Sequence, residues 1–528
     1  MGWRQKIAQF IAGAPQRARR AARMYGGARH TLTTAGFGGG TTSADAELKN
    51  SLVMLRSRSR QMVRDSAYAR RAKSIIVNNT VGTGVAIQAM VRTTRDEPAK
   101  YVCDDIEWQW HHWMAADACH TGGALHFHDL ERAAMGEVFE TGEVLIRLHF
   151  RAFGNSRVPL ALELIESERL PIWETQPSAL AEGHEVRMGV EVDGFGRPVA
   201  YWLRQGHPGD LRPGLAGTER LERVPADQML HLKITSRWPQ TRGEPWMAAV
   251  LRKLDDVNEY SQSEISAARA AALYFGSLES KEDGDGAATD EFKSNTAEDG
   301  SAVLDISALT IKELPPGYTL NWHSPNRPNS AFADFMRAML REIATGIGPG
   351  ISYQALSADA SQATYSSQRV AMLDERDGYK AVQQWWVRAF REPLHRIWMR
   401  QAVLARAVTT VPIEAYAQAP QRYEAVRFKL RGWSWVDPTK EVTAYKEAVM
   451  AGFTTISDVI AATAGGMDIE DVLDTRRREL DMLAAAGIEA DTTVAAPAAA
   501  VAPVAPAPAD PEDDEEGADD QRRLRRIA

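Results

Sequence analysis

Cysteine is almost absent: the 528-residue chain holds two, Cys103 and Cys119. A single pair cannot make a disulfide framework, so oxidation does not hold this fold together and a reducing compartment is the default. Long apolar runs are missing as well. No stretch approaches the ~18 uninterrupted apolar residues that a membrane-spanning helix needs. The run around Ile7 to Ala14 is broken by Gln9 and Gly13 and followed by Arg17, Arg19 and Arg20, which does not read as a secretion signal. These absences predict a protein that is cytoplasmic when made.

The usual signatures of chemistry are lacking too. No glycine is followed by lysine, so there is no phosphate loop. Neither a G-x-S-x-G elbow nor an H-E-x-x-H helix occurs, and His184-Glu185 has no second histidine. Gly82-Thr83-Gly84 has no third glycine and reads as a turn. His111, His112, Cys119, His120, His126, His128 and Asp129 crowd one window, but their spacing fits no standard zinc set. With Trp108, Trp110 and Trp113 they predict a tryptophan- and histidine-bearing helical surface. No catalytic, cofactor-binding or metal-ligating set emerges, and the chain does not read as an enzyme.

Net positive charge is also wanting. The balance is -8, from 62 Lys+Arg against 70 Asp+Glu, which argues against a general nucleic-acid binder. The charges are unevenly placed. Residues 1–44 carry seven basic side chains (Arg4, Lys6, Arg17, Arg19, Arg20, Arg23, Arg29) and no acid, and run into Gly36-Phe37-Gly38-Gly39-Gly40. Glycine at this density costs too much backbone entropy to hold structure alone, so an arm ordered only by a partner is expected. Residues 491–528 are Ala/Pro-rich, then acidic from Asp510 and basic from Arg522; they read as a disordered tail.

What is present is a mostly helical α+β chain. Residues 45–80 read as helices. Val144, Ile146 and Leu148, then Leu160, Leu162 and Leu164, follow the two-residue rhythm of strands. Residues 189–203 read as a hairpin turning at Asp193-Gly194-Phe195-Gly196. A long helix is expected over 244–277, with Pro245 in its first turn and a narrow stripe of Met247, Leu251, Leu254, Val257, Ser261, Ile265, Ala268 and Ala272, small in its second half. An acidic insertion and a strand over 302–314 precede a second amphipathic helix striped by Phe332, Phe335, Met336, Met339, Leu340 and Ile343. A Gly/Ser/Ala loop then leads into a long helix over 364–408 that Pro393 must kink. A helical module spans 437–488, with Asp437-Pro438 as a cap and Thr455 to Asp458 resembling a capping box.

Several strings in this order resemble the lambda family of phage portal proteins: residues 78–84 (NNTVGTG), Gly142-Glu143-Val144, 159–170 (PLALELIESERL), 193–201 (DGFGRPVAY), 242–246 (RGEPW), 365–369 (YSSQR) and 435–438 (WVDP). None is catalytic, and their shared order carries the resemblance. It implies a portal architecture: an arm (1–44), an α/β wing (45–240, rejoined by 364–430 with the kinked helix), two stem helices (244–277 and 328–346), a small clip (278–327), a tunnel loop (349–364) and a helical crown (437–490). The implied assembly is a ring, usually of twelve copies, at one vertex of the capsid, made in the host cytoplasm and carried in the virion. The implied partners are double-stranded DNA passing through the channel, the terminase large subunit, head–tail connector proteins and the major capsid protein, with no membrane. Another structural head or connector protein, or a nucleic-acid-processing enzyme, is the alternative.

On that mapping the channel residues are Arg252, Lys253, Asp255, Asp256 and Glu259 of the stem, with Ser352, Tyr353, Gln354, Ser357, Asp359, Ser361 and Gln362 of the loop. Acids on the stem face the bore, and Arg252 or Lys253 breaks the field locally. The loop supplies weak hydrogen-bonding groups. The clip residues Glu279, Lys281, Glu282, Asp283 and Asp285 face the motor.

Overall fold

The computed structural model describes residues 40–93, 99–173, 180–210, 221–273, 276–280, 318–322, 331–361, 364–433, 438–463 and 469–488. They belong to two units, one ending at Val436 and the other beginning at Asp437.

In the first unit, a polar side chain caps some of the helices and not others. Ser43 accepts the Ala46 amide at the head of α1 (Ala44–Asp65), and Ser66 separates it from α2 (Ala67–Thr80). Helix α3 (Lys100–Trp113) buries Ile106, Trp110 and Trp113 on one face. His126 caps α4 (Phe127–Thr141) by accepting the His128 amide, and Gly142 ends it in the left-handed conformation.

The expected alternation is realised. Strand β2 (Glu143–His149) lies between β3 (Ala161–Ile165) and β8 (Met229–Lys233), antiparallel to both. A second antiparallel sheet runs in the order β4 (Glu185–Arg187), β5 (Val190–Val192), β6 (Pro198–Leu203), β7 (Glu222–Pro225). Its β5–β6 hairpin turns where predicted. The Asp193 carboxylate accepts the amides of Phe195 at 2.8 Å and Arg197 at 2.9 Å, which fixes the turn. Strand β1 (Ala86–Ala89) pairs with β11 (Val426–Lys429), so an early segment of this unit closes on a late one.

Three expectations need correction. Trp110 and Trp113 are not surface residues: they are 2% and 1% exposed and pack with Phe127 and Trp398. Helical spacing puts 106, 110 and 113 on the core side and leaves Trp108 outside against His112. The long helix α5 is also shorter than predicted, Leu251–Leu273. Residues 245–250 form turns with Ala248 N on Pro245 O and Val250 N on Met247 O, while the Trp246 amide is taken by Phe139 O at 3.2 Å. At the other end, β9 (Gly276–Ser280) pairs antiparallel with β10 (Tyr318–Trp322) instead of prolonging the helix. The predicted strand over 302–314 lies outside the described residues.

Helix α6 (Phe332–Thr345) follows, then the short α7 (Tyr353–Ser357). The long helix after it is α8 (Tyr365–Trp386), a π turn over Val387–Arg391, and α9 (Glu392–Leu404). Pro393 supplies the cause: it has no amide for the i−4 carbonyl, and the widened turn absorbs the break. This helix ends at Leu404, not 408, because Arg406 turns left-handed and the Ala407 amide returns to Ala402 O.

The second unit holds α10 (Pro438–Met450), α11 (Ile456–Thr463) and α12 (Ile469–Ala485). The capping box forms, with Thr455 Oγ1 accepting the Asp458 amide and Asp458 accepting the Thr455 amide. Asp437 lies outside the described residues.

Candidate functional site

The candidate site is the pair α5 and α6 with the loop that follows. Helix α5 buries Leu251, Leu254 and Val257, three residues apart, against the main core. Past Val257 no described side chain of α5 is buried, and Ile265 is 43% exposed. Its outer half rests on α6 through Tyr260, whose ring is 4.8 Å from Phe335 and 5.7 Å from Phe332. Nearer the core, Lys253 Nζ donates to Glu342 Oε2 at 2.6 Å. As the number rises along α5 it falls along α6, so the two helices are antiparallel.

On this frame Arg252, Asp255, Asp256 and Glu259 are exposed. Asp255 and Glu259 share one strip of the helix, four residues apart. Lys253 is held by Glu342, so of the two cations expected to interrupt the acidic face, Arg252 is the exposed one. The charged side chains lie on the exposed side because Leu251, Leu254 and Val257 turn the opposite side to the core.

The loop is more tightly built than its composition suggests. Ile347, Ile351 and Leu356 are at most 3% exposed and sink it into the core. Gly348 has φ +51°, and a Cβ there would meet the Trp246 ring at 2.8 Å. Ser352 Oγ accepts the Ala355 amide, and Ser352 N donates to Glu375 at 2.5 Å. Ser357 Oγ donates to Tyr353 O, while Tyr353 Oη donates to Asp359 Oδ2 at 2.7 Å. Asp359 also accepts the Ser361 amide and faces Arg337 at 3.7 Å. Hydrogen bonds from Ser361, then Tyr353, hold the Asp359 carboxyl down at about 2. Most of the named loop groups are thus engaged within the loop itself; Gln354 is half-buried. Gln362 lies outside the described residues.

Of the residues expected in the clip, Glu279 sits in β9 opposite Thr319. Lys281, Glu282, Asp283 and Asp285 lie outside the described residues. The histidine window is dispersed: Cys119 Sγ donates to Met114 O, His120 Nδ1 accepts the Ala124 amide, and His112 Nδ1 meets Trp108 O. Among the described residues no three His, Cys, Asp or Glu groups gather around one possible metal position. No helix among them is long and apolar enough to cross a membrane.

Sequence reasoning missed the buried ion cluster that holds Arg242 and Gly243, ahead of α5. Glu143 is 0% exposed and accepts from Arg56 Nη2 at 2.6 Å, Arg242 Nε at 2.7 Å, His231 Nε2 at 3.0 Å and Gly243 N at 2.7 Å. Burial would raise its pKa, but Arg242, Arg56 and His231 together hold the carboxyl well below the ordinary range. Arg242 also donates to the carbonyls of Ser167, Leu170 and Met188. Gly142 and Gly243 pass so close that a Cβ on Gly243 would lie 2.1 Å from Gly142 O. The strings 142–144, 159–170 and 242–246 therefore meet at one knot. The bonds between them join residues 72 to 100 positions apart, so only the fold reveals it.

A family model described as phage portal protein, lambda family, matches residues 30–383. A probable portal protein of Halomonas phage phiHAP-1 is 31% identical over 454 residues, covering 84% of each chain. Portal protein B of Escherichia phage lambda is 20% identical over 493 residues, covering 87% of this chain and 91% of that one. A chain in the neck of an empty gene transfer agent particle is 15% identical, covers 83% of this chain and 98% of its own, and has a TM-score of 0.42. With the match running from the end of the basic arm through α8, and the strings of the ion knot inside it, the chain belongs to the lambda family of phage portal proteins.

Proposed function

We propose that twelve copies close into a ring at one capsid vertex, through which double-stranded DNA enters during packaging and leaves at ejection. The single observation that carries the mechanism is the exposed acidic strip of α5, Asp255 and Glu259 with Asp256 beside them. Phosphate contacts are strong and additive, so a basic lining would hold DNA instead of passing it. An acidic lining repels the duplex from the wall, and Arg252 relieves that field locally. On this reading α5 and α6 are the stem, β9 and β10 with residues 278–327 the clip, 349–364 the tunnel loop, and 437–490 the crown.

The clip, with Glu279, Lys281, Glu282, Asp283 and Asp285, meets the terminase large subunit during packaging and the head–tail connector proteins afterwards. The wing meets the major capsid protein. The protein acts as a structural conduit and not as an enzyme, assembles in the host cytoplasm and remains in the virion. The loop residues Ser352, Tyr353, Gln354, Ser357, Asp359, Ser361 and Gln362 narrow the bore and hinder backsliding of DNA. Because several of them are tied to one another, the loop acts as a fixed shape more than as a set of loose hydrogen-bonding groups.

The test is packaging in vitro by particles carrying Asp255→Lys, Asp256→Lys and Glu259→Lys together. Slower packaging is expected. An unchanged rate removes these residues from the bore. Deleting 357–362 should reduce DNA retention while leaving ring assembly intact, and normal retention would remove the loop from that role.

A further inference from the structure

Two large aromatic side chains stand almost fully in solvent on either side of one cavity of about 450 Å³: Phe195, 89% exposed, and Trp238, 82% exposed. Isolated exposed apolar residues are ordinary, but these two are held in place by their turns. The Asp193 carboxylate grips the Phe195 turn through two amides. The Trp238 turn is gripped by Gln240, 4% exposed, whose Oε1 accepts from Ser236 N at 3.0 Å and Arg237 N at 3.2 Å. Between them the cavity floor is Val190 and Val192, and its wall holds Arg187, paired with Glu185, and Lys233, which donates to Gln240 O.

The N-terminal arm leaves the fold at this place. Arg237, next to Trp238, donates to Thr42 O at 2.7 Å, and Thr241 donates to Asp45 through its amide at 2.7 Å and its hydroxyl at 2.6 Å. Ser43 and Asp45 line a second cavity of about 400 Å³, which shares Arg187 and Pro239 with the first. Phe37, outside the described residues, precedes Ser43 by a span of roughly 20 Å of extended chain, which puts the neighbouring cavity within its reach. Glycines at 36, 38, 39 and 40 let the backbone lie close to the walls. Residues 31–39 are uncharged, while 17–29 are arginine-rich. The apolar floor of Val190 and Val192 suits the uncharged first segment better than the arginine-rich second.

We propose that the cavity between Phe195 and Trp238 is a docking site for this chain's own N-terminal arm, filled by Phe37. The contact fixes where the basic part of the arm is presented: it begins immediately beyond the docked segment, on the wing surface beside Trp238.

Hydroxyl-radical footprinting of the assembled full-length protein, read residue by residue by mass spectrometry, tests this. Phe195 and Trp238 should oxidise several-fold faster in F37S than in the unmodified chain, with Phe453, 87% exposed in the other unit, unchanged as the reference. Equal oxidation of the two aromatics in both proteins overturns the proposal. A second variant pairs Phe37→Cys with Trp238→Cys, with Cys103→Ser to remove the half-buried thiol. A disulfide within one chain is expected. No disulfide, or one found only between chains, overturns the proposal; the latter result would give the cavity to a second copy.

Discussion

Glu143 carries the largest predicted consequence of any single side chain. Removing its charge leaves Arg56 and Arg242 buried without their common counter-ion, and breaking a buried ion pair costs about 3–5 kcal/mol. Glu143→Gln should lower stability by that order in chemical denaturation of the unassembled subunit. The pH dependence follows from the direction of the shift. The folded carboxyl lies far below its unfolded value, so its contribution is present above about pH 4.3 and fades as the pH falls further. The gap in Tm between wild type and Glu143→Gln should therefore narrow on acidification below that value; a gap independent of pH would contradict the ion knot. Gly348 gives a second test. Its positive φ and the nearby Trp246 ring predict that Gly348→Ala destabilises by more than about 1 kcal/mol, read by the same denaturation. Neither residue was legible as critical from sequence. Glu143 and Arg242 could be quoted as parts of two strings, but nothing local says that the strings touch.

Among the elements, local pattern was most reliable where local forces decide. Strands β2 and β3 followed their alternating leucines and valines, the β5–β6 turn followed Asp193 and its glycines, and the Thr455 capping box formed with its own neighbours. Boundaries failed where a distant group intervened. Trp246 gives its amide to Phe139, which delays α5 to Leu251. The pairing of β9 with β10, 38 to 46 residues apart in register, ends the helix early. Pro393 announced an interruption, but the π turn that accommodates it depends on Arg391, which reaches Val85 O at 2.7 Å and the buried Glu131. Helix α5 itself should be divided in its tolerance. Leu254, 0% exposed, should cost about 2–5 kcal/mol when changed to alanine. Ile265→Ala on the outer half should change stability of the unassembled subunit by less than about 0.5 kcal/mol. Equal losses at the two positions would mean that the outer half carries a core of its own.

For the whole molecule, family membership and the acidic strip bear on different questions. Membership makes the chain a portal protein. The strip says how a channel of such subunits can enclose a polyanion without gripping it, and it depends on which way α5 faces after assembly. Overall charge was legible from the sequence, and so was the side of the helix that carries it. The orientation of that side in a closed assembly was not, because one chain contains no bore. Cryo-electron microscopy of the purified assembled protein is the most direct measurement. The account predicts a closed ring with Asp255, Asp256 and Glu259 of every copy turned towards the central opening. Single copies under assembly conditions, or a ring with these three side chains on its outer face, would contradict it.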